Sequence, residues 1–308
     1  MIYAAFIAFI LWEFIALTYF TYYFTFRSPN LIQGNDSTIP NDVACLPDGL
    51  IIRAMVREKA SLPYEKVRIK SFDGLTLFAR YYERKAGAPI VIAFHGYRGT
   101  SLRDRCCDVI VTEKLGYNLL LPDERSHGKS EGKATTFGAL ERYDCVSWAN
   151  YVCDRFGEDA RVFLDGVSMG ATAVLLASAL PLPRCVRGIV ADSPYTTPED
   201  VIGNTCRRMK ISAKASFPIV RLSAKMYGGF SLAGCDTTES VKHSPIPILL
   251  IRGERDRVCP KEMSDRIYAS APGKITLVSF PLASHGLSYL SDPPKYVEAV
   301  RRFAERCG

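Results

Sequence analysis

The chain has 308 residues, of which 48% are hydrophobic and 23% charged, which is the composition of a globular protein with one large core. Its formal net charge of +7 is modest, and no basic stripe with interleaved aromatic residues is present, which argues against nucleic-acid binding. The ten cysteines form no C-x-x-C pair and no histidines stand at zinc spacing, so no metal or cofactor is implied; reduced thiols in a cytosol-facing domain are expected.

The amino-terminal segment from Ile2 to Phe26 predicts a membrane-spanning helix. It contains no lysine, arginine, proline or glycine, and Glu13 is its only charged residue. At about 1.5 Å per residue this segment reaches roughly 37 Å, enough to cross a hydrocarbon core with tilt. Aromatic residues crowd its end, as is typical of a membrane–water boundary, and the basic region and cleavage site of a signal peptide are lacking. A buried core helix is the alternative interpretation.

Basic residues predict the orientation of this span. None precedes it, whereas Arg27 follows it directly and Arg53 and Arg57 come later. By the positive-inside rule, residues 1–27 form a single-pass anchor and the rest of the chain lies on the cytoplasmic side of the membrane. Residues 28–63 predict a spacer rich in proline, with a short helix expected over Leu50–Lys59.

Residues 64–308 have the pattern of one α/β domain. Glu65–Ser71 and Leu75–Glu83 alternate apolar and polar residues around a Phe-Asp-Gly turn, which predicts a β-hairpin. Apolar runs then alternate with helix-length segments, and these runs are 89–94, 117–121, 161–164, 186–191, 247–251 and 274–280. The pattern predicts a mostly parallel sheet with helices on both faces.

The stretch Gly166-Val167-Ser168-Met169-Gly170 lies between a strand-like run and a helix-like run. A serine on a sharp strand-to-helix turn is held in a strained conformation, and Gly166 and Gly170 leave room for its hydroxyl to project alone. Ligands of such a sheet gather outside the carboxyl ends of its strands, where this turn lies. We therefore interpret Ser168 as a nucleophile.

A serine hydroxyl needs a base at neutral pH, and the chain has only four histidines. His243 lies in a polar stretch and is expected at the surface, while His95 and His127 lie in glycine-containing turns and are expected to shape loops. His285 follows the last strand-like run, which gives the chain order serine, acid, histidine. The sequence predicts His285 as the base.

The acid that orients the histidine is expected between Ser168 and His285, after a strand. Asp256 follows the run 247–251 at a suitable distance. Glu254 is a neighbouring alternative, and Asp192 is a second one, since it follows the preceding strand. An oxyanion hole requires two backbone N–H groups. Met169, directly after the serine, and Tyr97, in the turn after the first parallel strand, are the predicted donors.

Five motifs together resemble the serine α/β-hydrolase superfamily, and they are His95–Gly99, Asp123–Ser130, Gly166–Gly170, Gly253–Pro260 and Ser284–Gly286. Over about residues 65–308 the chain is similar to membrane-anchored α/β-hydrolase-domain proteins of the serine aminopeptidase and lipase-like group. The resemblance implies an α/β-hydrolase fold, a Ser168, Asp256 and His285 triad, and an oxyanion hole lined by Tyr97 and Met169.

The chain departs from this family pattern at two positions. Ser126 stands where the family usually has glycine or alanine, and Cys259 stands where an apolar residue usually precedes Pro260. Neither change touches the predicted chemistry directly.

An insertion over about residues 196–245 predicts a short helical cap. From Val201 to Cys235 it has no acidic residue, yet it carries the six cations Arg207, Arg208, Lys210, Lys214, Arg221 and Lys225. Apolar residues alternate with these cations. The pattern is typical of an amphipathic cap with a solvated basic face; a cap that faces anionic lipid headgroups, or that receives an acyl chain, is the alternative.

The predicted activity is hydrolysis of carboxylic esters through an acyl-enzyme, on a lipid-like or medium acyl substrate. A peptidase or amidase of the serine aminopeptidase type is a second hypothesis, although the basic cap argues against recognition of a substrate ammonium group. A non-catalytic membrane scaffold that keeps the fold is a third. Dehalogenase and epoxide hydrolase chemistry requires an aspartate where Ser168 stands.

Overall fold

A computed structural model describes residues 1–28 and 47–308. Within these residues one eight-stranded sheet has the strand order β1-β2-β4-β3-β5-β6-β7-β8. The strands are β1 (Glu65–Lys70), β2 (Thr76–Tyr82), β3 (Ile90–Phe94), β4 (Asn118–Asp123), β5 (Val162–Val167), β6 (Val186–Asp192), β7 (Ile248–Gly253) and β8 (Ile275–Phe280). β2 pairs antiparallel with β1 and β4, and all other neighbouring strands are parallel. The predicted hairpin and mostly parallel sheet are confirmed.

Helices cover both faces of this sheet. The helices of the described residues are α1 (Ile2–Thr25), α2 (Pro47–Ala60), α3 (Ser101–Leu115), α4 (Glu141–Phe156), α5 (Met169–Ala177), α6 (Pro198–Arg208), α7 (Ala213–Ser223), α8 (Thr237–His243), α9 (Lys261–Ser270), α10 (Ser288–Ser291) and α11 (Pro293–Arg306). Side chains alternate along each strand, so Ile90 and Ile92 enter the core under α4, α5 and α9, while Val91 and Ala93 enter the core under α2, α3 and α11. The predicted α/β-hydrolase fold class is thereby confirmed.

Helix α2 lies within the segment that the sequence predicts to be a spacer. Its Val56 is 1% exposed and packs in the core shared with α3, so this helix is part of the folded domain. The predicted short helix is present and runs from Pro47 to Ala60. The rest of the spacer, residues 29–46, lies outside the described part of the chain.

Helix α1 is 24 residues long and apolar enough to cross a membrane, and almost all of it is exposed. Its carboxyl end, by contrast, is packed into the α/β domain. Thr18 Oγ1 and Tyr227 Oη lie 3.1 Å apart, and the fully buried ring of Phe26 packs nearly perpendicular to the rings of Phe137 and Phe230. The predicted anchor is therefore joined to the domain by side-chain packing as well as by the chain.

The predicted cap insertion contains α6, α7, a π-helical turn at Ala224–Gly228 and α8. Thr197 and Ser212 cap α6 and α7, since each side chain accepts a hydrogen bond from a backbone N–H three residues later. The apolar side of these helices packs around Phe217 and Val220. All six cations of the cap are exposed.

Candidate active site

Ser168 occupies the turn between β5 and α5 with φ 55° and ψ −113°, outside the usual regions for a residue with a side chain. The flanking glycines make this turn possible. A Cβ on Gly166 would lie 2.3 Å from the carbonyl carbon of Gly170, and a Cβ on Gly170 would lie 2.5 Å from the Phe94 oxygen. Both positions exclude any side chain because backbone atoms block it. The strained, glycine-flanked turn expected for a nucleophile is present.

The structure brings Ser168, His285 and Asp256 together. His285 Nε2 lies 2.8 Å from Ser168 Oγ, and His285 Nδ1 lies 2.7 Å from Asp256 Oδ2. The other carboxylate oxygen of Asp256 accepts the backbone N–H groups of Val258 and Cys259, each at 2.8 Å. This carboxylate favours the imidazole tautomer with its proton on Nδ1, which leaves Nε2 free to accept the serine proton.

The two alternative acids, Asp192 and Glu254, form hydrogen bonds with residues other than His285. Asp192 is buried and accepts hydrogen bonds from Ser193 and Ser288, each at 2.9 Å. Its burial raises the pKa of this carboxyl group to about 6. Glu254 accepts from Arg252 at 3.1 Å on the outer side of the loop. Of the three candidates, Asp256 is the one in contact with His285.

His285 differs from the other three histidines in its electrostatic setting. Burial lowers its pKa, but Cys259 and the Asp256 carboxylate raise it, and the net pKa lies well above the usual value. Burial raises the pKa of the Cys259 thiol, which keeps that thiol neutral at pH 7. Since a neutral thiol carries no charge, the Asp256 carboxylate is the neighbour whose negative charge favours the protonated imidazole at pH 7.

His95 has a structural role next to the site. Its Nδ1 lies 2.9 Å from the Gly96 oxygen, and its Nε2 accepts the backbone N–H of Glu124 at 3.0 Å. Burial lowers the His95 pKa to about 4, so the ring is neutral and ties the loop after β3 to the loop after β4. His127 packs edge-on against this ring, with a pKa lowered to about 3 by burial, and His243 is exposed. The expected loop-shaping and surface positions are observed.

The backbone donors predicted for an oxyanion hole lie beside Ser168. Met169 is the first residue of α5, where N–H groups have no acceptor within the helix. Tyr97 follows Gly96, and a Cβ on Gly96 would lie 3.5 Å from Ser168 Cβ, so this loop passes close to the serine. Asp104 fixes the loop by accepting the Gly96 N–H at 3.1 Å.

The loop that carries Tyr97 also contacts α1, the helix that is predicted to span the membrane. Tyr97 Oη donates to the Thr25 oxygen at 2.8 Å, and Arg98 Nη2 donates to the Phe24 oxygen at 2.6 Å. These oxygens belong to the last turn of α1, where carbonyl groups lack partners within the helix. The end of α1 therefore lies directly against the loop beside Ser168, a contact that no sequence pattern predicts.

A cavity of about 450 Å³ opens at the serine. Its polar end holds Ser168 and His285, while Arg103 and Asp104 pair with each other at 2.6 Å. The rest of its lining is mostly apolar and comprises Ile52, Met55, Gly96, Tyr97, Cys106, Cys107, Val167, Val258, Gly286, Leu287, Tyr289 and Leu290. Ile52 and Met55 come from α2, so part of the predicted spacer forms one wall. A sequence pattern cannot show this, because the wall depends on how α2 packs.

Cys259 is the residue of this site that the sequence analysis does not assign. It is 2% exposed, and its sulfur, a carboxylate oxygen of Asp256 and a ring nitrogen of His285 all lie within 4.8 Å of one another. Two sequence signals point to it, namely its departure from the family pattern before Pro260 and its position three residues after Asp256, on the turn whose N–H groups bind that carboxylate.

No protein-family model matches the chain. Among curated proteins, it is 24% identical over 192 residues to the uncharacterized protein YqkD of Bacillus subtilis, covering 62% of this chain and 63% of that protein. It is 25% identical over 198 residues to the lysophosphatidylserine lipase ABHD12 of Danio rerio, and the match spans 62% of this chain and about half (50%) of the lipase.

A solved structure with the same fold is the esterase Pf2001 of Pyrococcus furiosus. It is 25% identical to this chain and superimposes with a TM-score of 0.65, over 82% of this chain and 95% of the esterase. Another crystal form of that esterase gives a TM-score of 0.66 over 81% of this chain. The names of these two relatives describe hydrolases, an esterase and a lipase.

Proposed function

Because this chain belongs to the serine α/β-hydrolase superfamily, we propose that it cleaves carboxylic ester bonds through an acyl-enzyme intermediate. The observation that carries this proposal is the unbroken hydrogen-bond chain from Ser168 to His285 to Asp256. These side chains are separated along the sequence by 117 and 29 residues, and they meet where the carboxyl ends of the strands converge.

In the first half of the reaction His285 Nε2 removes the hydroxyl proton as Ser168 Oγ attacks the ester carbonyl carbon. The Asp256 carboxylate stabilises the imidazolium that forms. The negative charge on the carbonyl oxygen is stabilised by the N–H groups of Tyr97 and Met169, and each such donor contributes about 3 kcal/mol to transition-state stabilisation. His285 then gives its proton to the leaving alcohol. Water, activated by the same ring, hydrolyses the acyl-enzyme and restores Ser168.

The cavity favours a lipid-like or medium acyl substrate. Its apolar wall extends from Ser168 to Leu290 and to Ile52 of α2, and every methylene of an acyl chain buried there contributes about 0.8 kcal/mol to binding. The name of the relative ABHD12, a lysophosphatidylserine lipase, agrees with a substrate that has one acyl chain and a polar head.

An aminopeptidase activity is the weaker candidate. A substrate ammonium group needs an unengaged carboxylate near the nucleophile. Asp104 is the acidic residue in the cavity lining, and it is bound to Arg103 and to the Gly96 N–H. The expected preference is therefore ester over amide.

Labelling with a fluorophosphonate probe tests the serine chemistry. The full chain in detergent is expected to react, and Ser168→Ala is expected not to react while retaining the wild-type melting temperature. Labelling that persists in Ser168→Ala would exclude this serine as the nucleophile. Hydrolysis of p-nitrophenyl esters with increasing acyl length, measured beside aminoacyl anilides, then separates the ester and amide hypotheses.

We also propose that α1 is a single membrane span and that the hydrolase domain lies against the cytoplasmic face. Sixteen residues of α1, Ile2–Leu17, precede the first buried position at Thr18. At about 1.5 Å per residue they reach roughly 24 Å, somewhat less than a hydrocarbon core of about 30 Å. The domain must then sit close to the membrane surface. Protease digestion of sealed vesicles tests the side, since cytoplasmic domains of inverted vesicles are cleaved.

The cap is suited to contact an anionic leaflet in this arrangement. Tyr227 of its π-helical turn packs against Tyr19 and Tyr22 of α1, which places the cap beside the span. Exposed apolar side chains stand among the six cations, namely Met209, Ile211, Leu222 and Met226. Replacement of all six cations by glutamine is expected to weaken binding of the hydrolase domain to anionic vesicles, and unchanged binding would refute the contact.

A further inference from the structure

Cys259 lies against the proposed reaction centre but takes part in none of its steps. Its thiol, the Asp256 carboxylate and the His285 ring present three different donor types whose ligand atoms lie within 4.8 Å of one another. Cys259 and Asp256 are buried, whereas the His285 side chain is 23% exposed. His285 also lines the cavity, so an ion in the cavity can contact the cluster at this side chain.

These donors match the ligands that Zn²⁺ prefers. Zinc is bound by thiolate sulfur at about 2.3 Å and by imidazole nitrogen and carboxylate oxygen at about 2.0–2.2 Å. In a tetrahedral site with those bond lengths, neighbouring ligand atoms stand roughly 3.3–3.8 Å apart. To bind the ion, the longest separation in the cluster must shorten by about 1 Å or less, with water in the fourth position. The Asp256 oxygen and His285 Nδ1, now 2.7 Å apart, must move apart by about 0.6 Å.

We propose that Asp256, Cys259 and His285 form a reversible inhibitory site for Zn²⁺. This inference rests on the proposed function, because the inhibited reaction is the serine hydrolase reaction described above. Binding releases one proton, from the Cys259 thiol, as the sulfur binds the metal. His285 binds through Nδ1, the nitrogen that faces Asp256, and the proton of the neutral ring moves from Nδ1 to Nε2 as it does so.

The inhibition follows from the tautomer of His285. Once Nδ1 binds the metal, the proton of the neutral ring must reside on Nε2, the nitrogen that lies 2.8 Å from Ser168 Oγ. A protonated Nε2 cannot accept the serine proton, so the nucleophile is not activated. Asp256 is at the same time withdrawn from its hydrogen bond to the ring. Removal of the metal restores both contacts.

The first test measures ester hydrolysis by the full chain in detergent during titration with Zn²⁺ in a non-chelating buffer. The midpoint of inhibition is expected to rise roughly 100-fold in Cys259→Ser and in Cys259→Val, each compared with its own zinc-free rate, because a ligand is lost. Cys206→Ser, a partly exposed cysteine of the cap, is the matched control and is expected to keep the wild-type midpoint. Chelator is expected to restore activity.

The second test detects the site without catalysis. Co²⁺ replaces Zn²⁺ in Ser168→Ala, and a thiolate-to-cobalt charge-transfer band is expected that is missing in the double variant with Cys259→Ser. Equal zinc midpoints in wild type and both Cys259 variants, or no charge-transfer band in Ser168→Ala, would overturn the proposed metal site. Absence of fluorophosphonate labelling in the zinc-free chain would instead refute the proposed function, whatever the cobalt spectrum shows.

Discussion

Asp256→Asn tests the reaction centre with a change of only one atom in the side chain. The carboxylate of Asp256 makes contacts on two sides, to His285 through Oδ2 and to the N–H groups of Val258 and Cys259 through Oδ1. The asparagine amide must keep its oxygen toward the two backbone donors, because an NH₂ group there would face two N–H groups. Its NH₂ group then points at His285 Nδ1.

This orientation fixes the wrong tautomer of the histidine. An NH₂ donor at Nδ1 makes that nitrogen an acceptor and moves the ring proton to Nε2, where it faces Ser168 Oγ. The expected loss in kcat is roughly 10⁴-fold, the size measured for the same change in another serine hydrolase, which corresponds to about 5.4 kcal/mol of transition-state stabilisation. The KM is expected to change little, since Asp256 does not line the cavity.

The assay is steady-state hydrolysis of a p-nitrophenyl ester, with the melting temperature as a check on folding. Glu254→Gln is the matched control, because Glu254 neighbours Asp256 in sequence and pairs with Arg252 on the outer side of the loop. It is expected to retain the wild-type rate within about twofold, because this partly exposed ion pair makes no contact with His285 and Arg252 also pairs with Asp265. A loss below tenfold in Asp256→Asn, or an equal loss in Glu254→Gln, would refute the assignment of the acid.

Three further predictions concern the turn, the base and the cavity. Gly166→Ala is expected to lower the free energy of unfolding by more than about 3 kcal/mol in chemical denaturation, since its Cβ would lie 2.3 Å from the Gly170 carbonyl carbon. Gly203→Ala is the control and is expected to be tolerated, because its Cβ would have no contact closer than 3.5 Å. Activity is expected to rise with pH through a midpoint above 6.5, the usual pKa of histidine, because the pKa of His285 is raised and only the unprotonated ring accepts the serine proton. A midpoint below 6.5 would contradict this expectation. Ile52→Trp is expected to reduce kcat/KM for long acyl esters while sparing acetyl esters, and an equal effect on both would exclude α2 as a wall of the acyl site.

Much of this protein is determined by local sequence. The alternation of apolar runs with helix-length segments predicts the parallel sheet, because strands buried on both faces must be apolar throughout. The stretch around Ser168 predicts its strained turn, because only glycine fits where a Cβ would meet backbone atoms. Ser168, Asp256 and His285 follow β5, β7 and β8, and this order predicts their meeting, because carboxyl ends of parallel strands share one edge of the sheet.

Other features depend on tertiary contacts that no local pattern encodes. The sequence left Asp256, Glu254 and Asp192 as alternative acids, and only the packing of two loops places one of them against His285 while Ser288 and Arg252 occupy the others. In the same way, α2 becomes a cavity wall, the end of α1 docks on the loop that carries Tyr97, and Cys259 reaches the histidine. Each is a contact between segments far apart along the chain, and its existence depends on the relative placement of whole elements rather than on the residues of either segment.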